Sequence, residues 1–311
     1  MRPLRLVPLA LALLAGAASA QPMWRPSLDG ASVSLDVLKA FDQALIATGD
    51  QGNPLGEIGT SLFQSAQILS ARVPVGARLA VVADLPTAYA RYRLPEDAFG
   101  EALRDDGFDT GDFIVGNPYL GIQVQLRPDI VAEAGVRLPL SPRRELGTGS
   151  DATFAGISAL FEVPEVFLEG AFSASAGVRY EPALARSVRL RLHVVPNVLA
   201  YSSFRGVFSE GDLEKSDVRE TVLALRYGAQ VVADVGRAEL SGGVVGRVDD
   251  TEPFEVGGGT FVGRYEPTIL TLGATVGGLP VRPGVTVRVP LRGDPFGTDA
   301  VVGLSVDVPI R

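Results

Sequence analysis

The chain has 311 residues, a formal net charge of −8 and no cysteine. An acidic balance without clustered positive charge excludes nucleic acid as a partner. The absence of thiols excludes disulfides, thiolate metal sites and a lipid-anchored precursor. Hydrophobic residues nevertheless make up 46%, beside 36 Gly and 22 Pro, and after residue 20 no run approaches the ~20 apolar residues of a membrane helix. An apolar, turn-rich chain without membrane helices has the profile of an outer-membrane β-barrel.

Arg2 and Arg5, the apolar run Leu6 to Leu14, and the small residues Ala18-Ser19-Ala20 predict a cleaved signal peptide over 1–20. Residues 21–311 are then a single β-barrel domain, exported to the cell outer membrane. Ala31 to Phe41 alternates, with Val33, Leu35 and Val37 on one face. Thr60 to Val73 and Ala77 to Tyr92 follow, joined by a tight turn at Pro74 to Gly76. Leu94 to Val115 is acidic and Gly-rich and reads as loop. Gly116 to Leu140 then forms the clearest hairpin, turning at Pro128-Asp129.

Ser141 to Val166 is ambiguous: Ala152 to Phe167 suits a short helix, a strand or a loop folded inward. Leu168 to Tyr180 and Arg186 to Tyr201 alternate again, and Ser202 to Val218 reads as a charged loop. Arg219 to Ala233, Arg237 to Val248, Tyr265 to Val276, Pro280 to Leu291 and Asp299 to Ile310 complete the set. About twelve strands result. Long polar loops follow the odd strands and tight Pro, Gly or Asp turns follow the even ones. That alternation predicts an all-β, antiparallel transmembrane barrel with short periplasmic turns and long outer loops. A soluble sandwich has no reason to gather its long connections at one end. Tyr89, Tyr92, Tyr119, Tyr201 and Tyr265 fall at loop-side strand ends and Tyr180 at a turn-side end, as an interfacial belt requires.

Side chains on a strand alternate faces, so each strand divides into an apolar wall and a polar one. In the clearest hairpin Leu120, Ile122 and Val124 oppose Gln123 and Gln125, and Ala132, Ala134 and Val136 oppose Glu133 and Arg137. The polar walls nominate lumen-lining residues: Gln123, Gln125, Glu133, Arg137, Arg189, Arg191, His193, Arg226, Arg288 and Asp307. Arg189, Arg191 and His193 form a basic ladder that selects anionic or polar solutes. Alternatively they pair with Glu133, Asp84, Glu239 or Asp307 and fill a narrow interior.

Catalytic chemistry finds no support. His193 is the single histidine, and Ser202 and Ser203 nearby carry no nucleophile motif, so an outer-membrane phospholipase reading fails. One His and no Cys exclude a histidine metal site, and Asp105, Asp106, Asp109, Asp112, Asp249 and Asp250 lack calcium-loop spacing and read as solvated surface. Gly257 to Gly259 has no P-loop lysine. No cofactor is expected.

Gly111-Asp112 and Gly116-Asn-Pro-Tyr-Leu-Gly121, opening a strand in mid-chain, resemble outer-membrane barrels related to the phenol meta-pathway (MetA-type) transporter family. The likeness covers most of residues 21–311 and implies passage of small molecules, hydrophobic ones included, across the outer membrane. It carries no catalytic residues. One departure is the ending Val308-Pro-Ile-Arg311, where such barrels usually end on an aromatic residue. The expected function is a non-enzymatic outer-membrane barrel passing or binding small molecules, with membrane lipid and an unidentified solute as partners. Two other readings stay open: a structural or adhesive barrel plugged by Ala152 to Phe167, and a soluble periplasmic β-protein binding an apolar ligand. Replacing Arg137 or Arg191 by Gln is expected to leave folding nearly intact.

Overall fold

In a computed structural model, the described residues are 30–42, 46–48, 54–57, 63–93, 109–141, 156, 159–160, 162–168, 170–209, 212–250, 254–256, 259–261, 266–292 and 298–310. The proposed signal peptide, with Tyr265 and Asp105-Asp106, lies outside them. The wall is built from β1 (Ala31–Asp42), β2 (Phe63–Pro74), β3 (Leu79–Arg93), β4 (Tyr119–Arg127), β5 (Ile130–Arg137) and β6 (Phe172–Tyr180). It continues through β7 (Val188–Ser209), β8 (Asp212–Val235), β9 (Ala238–Asp249), β10 (Thr268–Val276), β11 (Arg282–Arg292) and β12 (Thr298–Ile310).

Neighbouring strands in the chain pair antiparallel, and β1 pairs β12 from Ala31↔Ile310 to Asp42↔Thr298, which closes the sheet on itself. Closure leaves no edge strand, the condition for a sheet to sit in hydrocarbon. Two short strands extend staves end to end. Asp109–Val115 pairs the far half of β3, while β4 pairs its near half. Ala183–Ala185 meets the start of β7, and β6 takes over from Leu192. The wall is therefore a twelve-stave antiparallel barrel. Its tight connections, such as Pro128-Asp129 and Gly236-Arg237, lie at one end.

Several stretches expected to be loop are strand. Asp109–Val115 belongs to the wall, and Ile46–Thr48 with Pro54–Glu57 and Phe254–Val256 with Gly259–Phe261 form small hairpins outside it. The charged stretch after Tyr201 prolongs β7 and β8, which stay paired out to Ser209↔Asp212. Past Ala224 that hairpin loses β9 and past Ala200 it loses β6, so it stands clear of the wall. Charged side chains disguised its strand character, because outside the membrane neither face needs to be apolar.

The outward face is aliphatic: Leu35, Leu69, Leu85, Leu120, Val194, Leu225 and Leu304 are each at least 42% exposed. A continuous apolar exterior of this size is incompatible with a soluble periplasmic protein and matches a lipid-facing band. Tyr119 corrects an expectation. It shares the inward face with Gln123, is 8% exposed, and its hydroxyl donates to Glu133 Oε1 at 2.8 Å. Its ring covers Gly135, where a Cβ would lie 2.5 Å from ring carbon Cζ, so it packs the lumen rather than anchoring an interface.

The two faces respond differently to charge. Val194→Arg, on the outward face, is expected to cost about 2–4 kcal/mol if near the bilayer midplane. Urea titration of liposome-folded protein, followed by the gel shift between boiled and unboiled samples, measures it. A loss below about 0.5 kcal/mol, the range of ordinary surface substitutions, would contradict the assigned facing.

Candidate functional site

A chain segment fills the half of the lumen nearest the long loops. Between β5 and β6 the chain turns inward, and Ala159, Leu160, Val163, Val166 and Phe167 are each no more than 1% exposed. They pack on Leu38, Ala40, Ala66, Ile68, Ala88, Ala90, Ile114, Val245, Ile269 and Val301. Those wall residues all lie toward the long-loop ends of their strands. Burying a side chain the size of Leu160 or Phe167 contributes roughly 1.5–3 kcal/mol. Apolar contact is non-directional, however, so polar anchors must set the loop's position. Pro164–Val166 forms one 3₁₀ turn, with Phe167 N–H donating to Pro164 O at 3.0 Å.

Three anchors tie the loop down. Glu165, 0% exposed, accepts from Arg247 at 2.7 Å and from Asn197 Nδ2 at 2.9 Å, with Arg226 at 3.6 Å. Arg247 is held in turn by Asp249 at 3.3 Å. Glu162 pairs with Arg288, whose second nitrogen donates to Ala159 O at 2.8 Å. On the other side Asn117 Nδ2 donates to Glu165 O at 2.9 Å and Leu168 O at 2.7 Å, and Asn117 N–H to Val166 O at 2.7 Å. Gly116 stands so close that a Cβ there would lie 2.5 Å from Val166 O. Burial alone would raise the Glu165 pKa, but the positive charges of Arg247, Arg226 and Arg137 outweigh it and hold the carboxyl below the usual carboxylate range.

The other half of the lumen is polar. Ser70 Oγ donates to Asp84 at 2.7 Å, Arg72 Nε to Gln123 at 3.1 Å, and Gln123 Nε2 to Glu133 at 2.6 Å. Arg191 meets Glu181 at 2.9 Å and Glu239 at 3.6 Å, and Arg189 meets Glu239 at 2.7 Å. Beneath Glu165 a cavity remains, lined by Tyr119, Arg137, Arg179, His193 and Arg226 with Asp84 and Glu133.

The nominated residues thus share the inward face, in separate groups. Arg137, His193, Arg226 and Glu133 meet at the cavity; Gln123 joins them through Glu133. Arg189 and Arg191 pair nearer the tight turns, and Arg288 anchors the loop. Gln125 and Asp307 sit on the same face, Asp307 6% exposed, away from the cavity. Asp249 is not solvated surface: it is 5% exposed and bonded to Arg247. Arg137 and Arg191 are buried and paired, so replacing either by Gln is not neutral: Asp84 loses a cation in one case, and in the other Glu181 loses one of two and keeps Arg179 at 3.0 Å. Ser202 lies nine residues beyond His193 on β7, roughly 30 Å at strand rise, which removes the serine–histidine pairing. Among the described residues no group of three or more acidic or imidazole side chains is placed to hold a metal ion. Glu162, Glu165, Asn117, Asn197 and Arg247 were not nominated from the sequence. Arg247 follows from the alternation of β9, and Asn117 sits in the conspicuous Gly116–Gly121 stretch, but no local signal marks Glu165.

A closed twelve-stave wall, apolar outside and enclosing a lumen that is part apolar and part polar, decides the architecture. The fold is that of an outer-membrane β-barrel. An outer-membrane channel from Pseudomonas putida F1 superposes with a TM-score of 0.55 over 93% of this chain and 98% of that one, at 13% identity. The beta domain of the Bordetella autotransporter Brka gives 0.51 over 91% and 100%, at 10% identity. No protein-family model and no curated protein sequence matches the chain.

Glu165→Gln is expected to cost about 3–5 kcal/mol, because Arg226 and Arg247 lose their buried counter-charge. The depressed Glu165 pKa contributes stability that is present above the unfolded-state value near 4.5 and is lost as pH falls below it. Denaturation midpoints should therefore drop less between pH 7 and pH 3 in Glu165→Gln than in the parent barrel. Equal drops would remove Glu165 as the anchoring charge.

Proposed function

We propose that the chain, exported with residues 1–20 cleaved, is a non-enzymatic outer-membrane channel for small molecules. Its lumen is narrowed by the loop between β5 and β6. One observation carries the reading: the loop fills the apolar half of the lumen and leaves a polar, arginine-bearing cavity below it. A barrel made only to display outer loops has no need of that cavity. Kinship with the MetA-type transporters belongs to this proposal and rests on the Gly111 to Gly121 stretch. The nominated inward residues Gln123, Glu133, Arg137, His193 and Arg226 then border the solute path, and Arg189 and Arg191 its mouth near the tight turns.

A second reading has its own support. Leu160, Val163 and Phe167 are so fully buried that the barrel also suits a plugged structural or adhesive role. Conduction separates the two. The parent protein in planar bilayers should give discrete current steps. The chain has no cysteine, so Ser175→Cys in the cavity lining offers one unique thiol. A charged methanethiosulfonate should reduce the step size of that variant severalfold and leave the parent unchanged. Absence of steps in the parent, or steps indifferent to modification at Ser175→Cys, would sink the channel reading in favour of the plugged barrel.

A further inference from the structure

The cavity under the loop is lined by three arginines that differ in how closely a carboxylate reaches them. Arg179 pairs with Glu181 at 3.0 Å, while Arg137 and Arg226 face Asp84 and Glu133. Glu133 accepts from the Tyr119 hydroxyl at 2.8 Å and from Gln123 at 2.6 Å. Asp84 accepts from Ser70 at 2.7 Å and stands 4.0 Å from Arg137. Glu133 is thus taken up by neutral donors, and neither acid forms a fork with Arg137 or Arg226.

Arg226 is the most exacting of these groups. It is 7% exposed, its nearest carboxylate is Glu165 at 3.6 Å, and its buried Nε has no hydrogen-bond partner. Arg137, 6% exposed, donates one nitrogen to Asn117 O at 3.0 Å and otherwise reaches Asp84 only at 4.0 Å. A desolvated guanidinium stabilises best with a carboxylate in its planar fork, through two parallel hydrogen bonds. The wall gives each of these arginines a neighbouring charge without that fork.

We propose that this cavity is a binding site for a small monocarboxylate anion, gripped by Arg226 and Arg137. With Arg179 paired to Glu181 at 3.0 Å, Arg226 and Arg137 are the lining cations that lack a bidentate carboxylate, and a planar carboxylate fits the planar fork of each. The Ser173 and Ser175 hydroxyls in the same lining add donors. The site rests on the channel reading for its purpose, since it names the solute class that the channel would carry; its chemistry does not depend on conduction.

Calorimetry and saturation-transfer NMR on the full-length, detergent-solubilised barrel test it, with benzoate as probe and neutral benzamide and phosphate as comparisons. Benzoate should bind, benzamide should bind at least about tenfold more weakly, and Arg226→Gln should weaken benzoate by about tenfold or more. Arg226→Lys keeps a charge beside Glu165 but removes the fork; it should weaken benzoate as well, and it serves if Arg226→Gln does not fold. Arg292→Gln, on a side chain 77% exposed, should leave binding unchanged. Equal affinity for benzoate and benzamide, phosphate tighter than benzoate, or unaltered binding in the folded Arg226 variants would each overturn the site. Benzoate binding without bilayer conductance would sink the channel reading and keep the site. Conductance without benzoate binding would do the reverse.

Discussion

A carboxylate with no solvent exposure, at Glu165, holds this barrel's interior in place. Moving an ion out of water costs several kcal/mol, and only close opposite charge with further hydrogen bonds offsets it. Glu165 finds both on the facing wall: Arg247, Arg226 and Asn197 come from β9, β8 and β7. The dependence is mutual. Arg226 and Arg247 pair directly across β8 and β9, so without Glu165 two buried guanidinium groups would confront each other. Wall and loop are therefore one electrostatic unit. The loop cannot leave the lumen without exposing that repulsion.

The remaining interior follows from this placement. Wall positions above the anchor carry Ala40, Ala66, Ala88 and Ala90, small residues that leave room for Leu160 and Phe167. Positions below it carry Arg72, Asp84, Gln123 and Arg191, which bond to neighbouring strands along the wall without the loop. An apolar interior at the lower positions would have drawn the loop deeper and closed the cavity. A polar interior at the upper ones would have stayed hydrated and left the loop outside. On β1 and β2 the change from apolar Leu38 and Ala66 to polar Asp36 and Arg72 thus matches the depth at which the loop rests.

Much of the wall was legible in the chain because a barrel asks little beyond period 2 and alternating connections. Leu120 against Gln123, or Val194 against His193, suffices to assign faces. Tyr119 obeys the same parity, lying one residue from outward Leu120, and only its position at a strand end suggested an interfacial role. The inner loop was legible just as an ambiguity, since a segment packed inside a barrel needs apolar and charged residues together and shows no period. Glu165 contacts residues 32 and 82 positions away. No local pattern encodes a pairing at that range. The extended β7–β8 hairpin was missed for the opposite reason: beyond the membrane, strand pairing tolerates any polarity.

The break in the stave at Gly116-Asn117-Pro118 shows how far wall and loop depend on each other. Inside a membrane wall every backbone polar group must be satisfied within the protein. Gly116 N–H donates to Pro86 O at 2.9 Å and Leu138 N–H to Pro118 O at 2.9 Å. Pro118 itself has no N–H to satisfy. Arg137 donates to Asn117 O at 3.0 Å. The remaining donor, Asn117 N–H, finds Val166 O, a carbonyl of the loop. The loop therefore completes the hydrogen bonding of the wall at this interrupted stave, and the wall's Asn117 side chain in turn fixes the loop through Glu165 O and Leu168 O. A loop that merely occupied the lumen could be displaced at the expense of its own contacts. Displacing this one also breaks the wall's own bond from Asn117 N–H to Val166 O, so loop and wall are held as one unit.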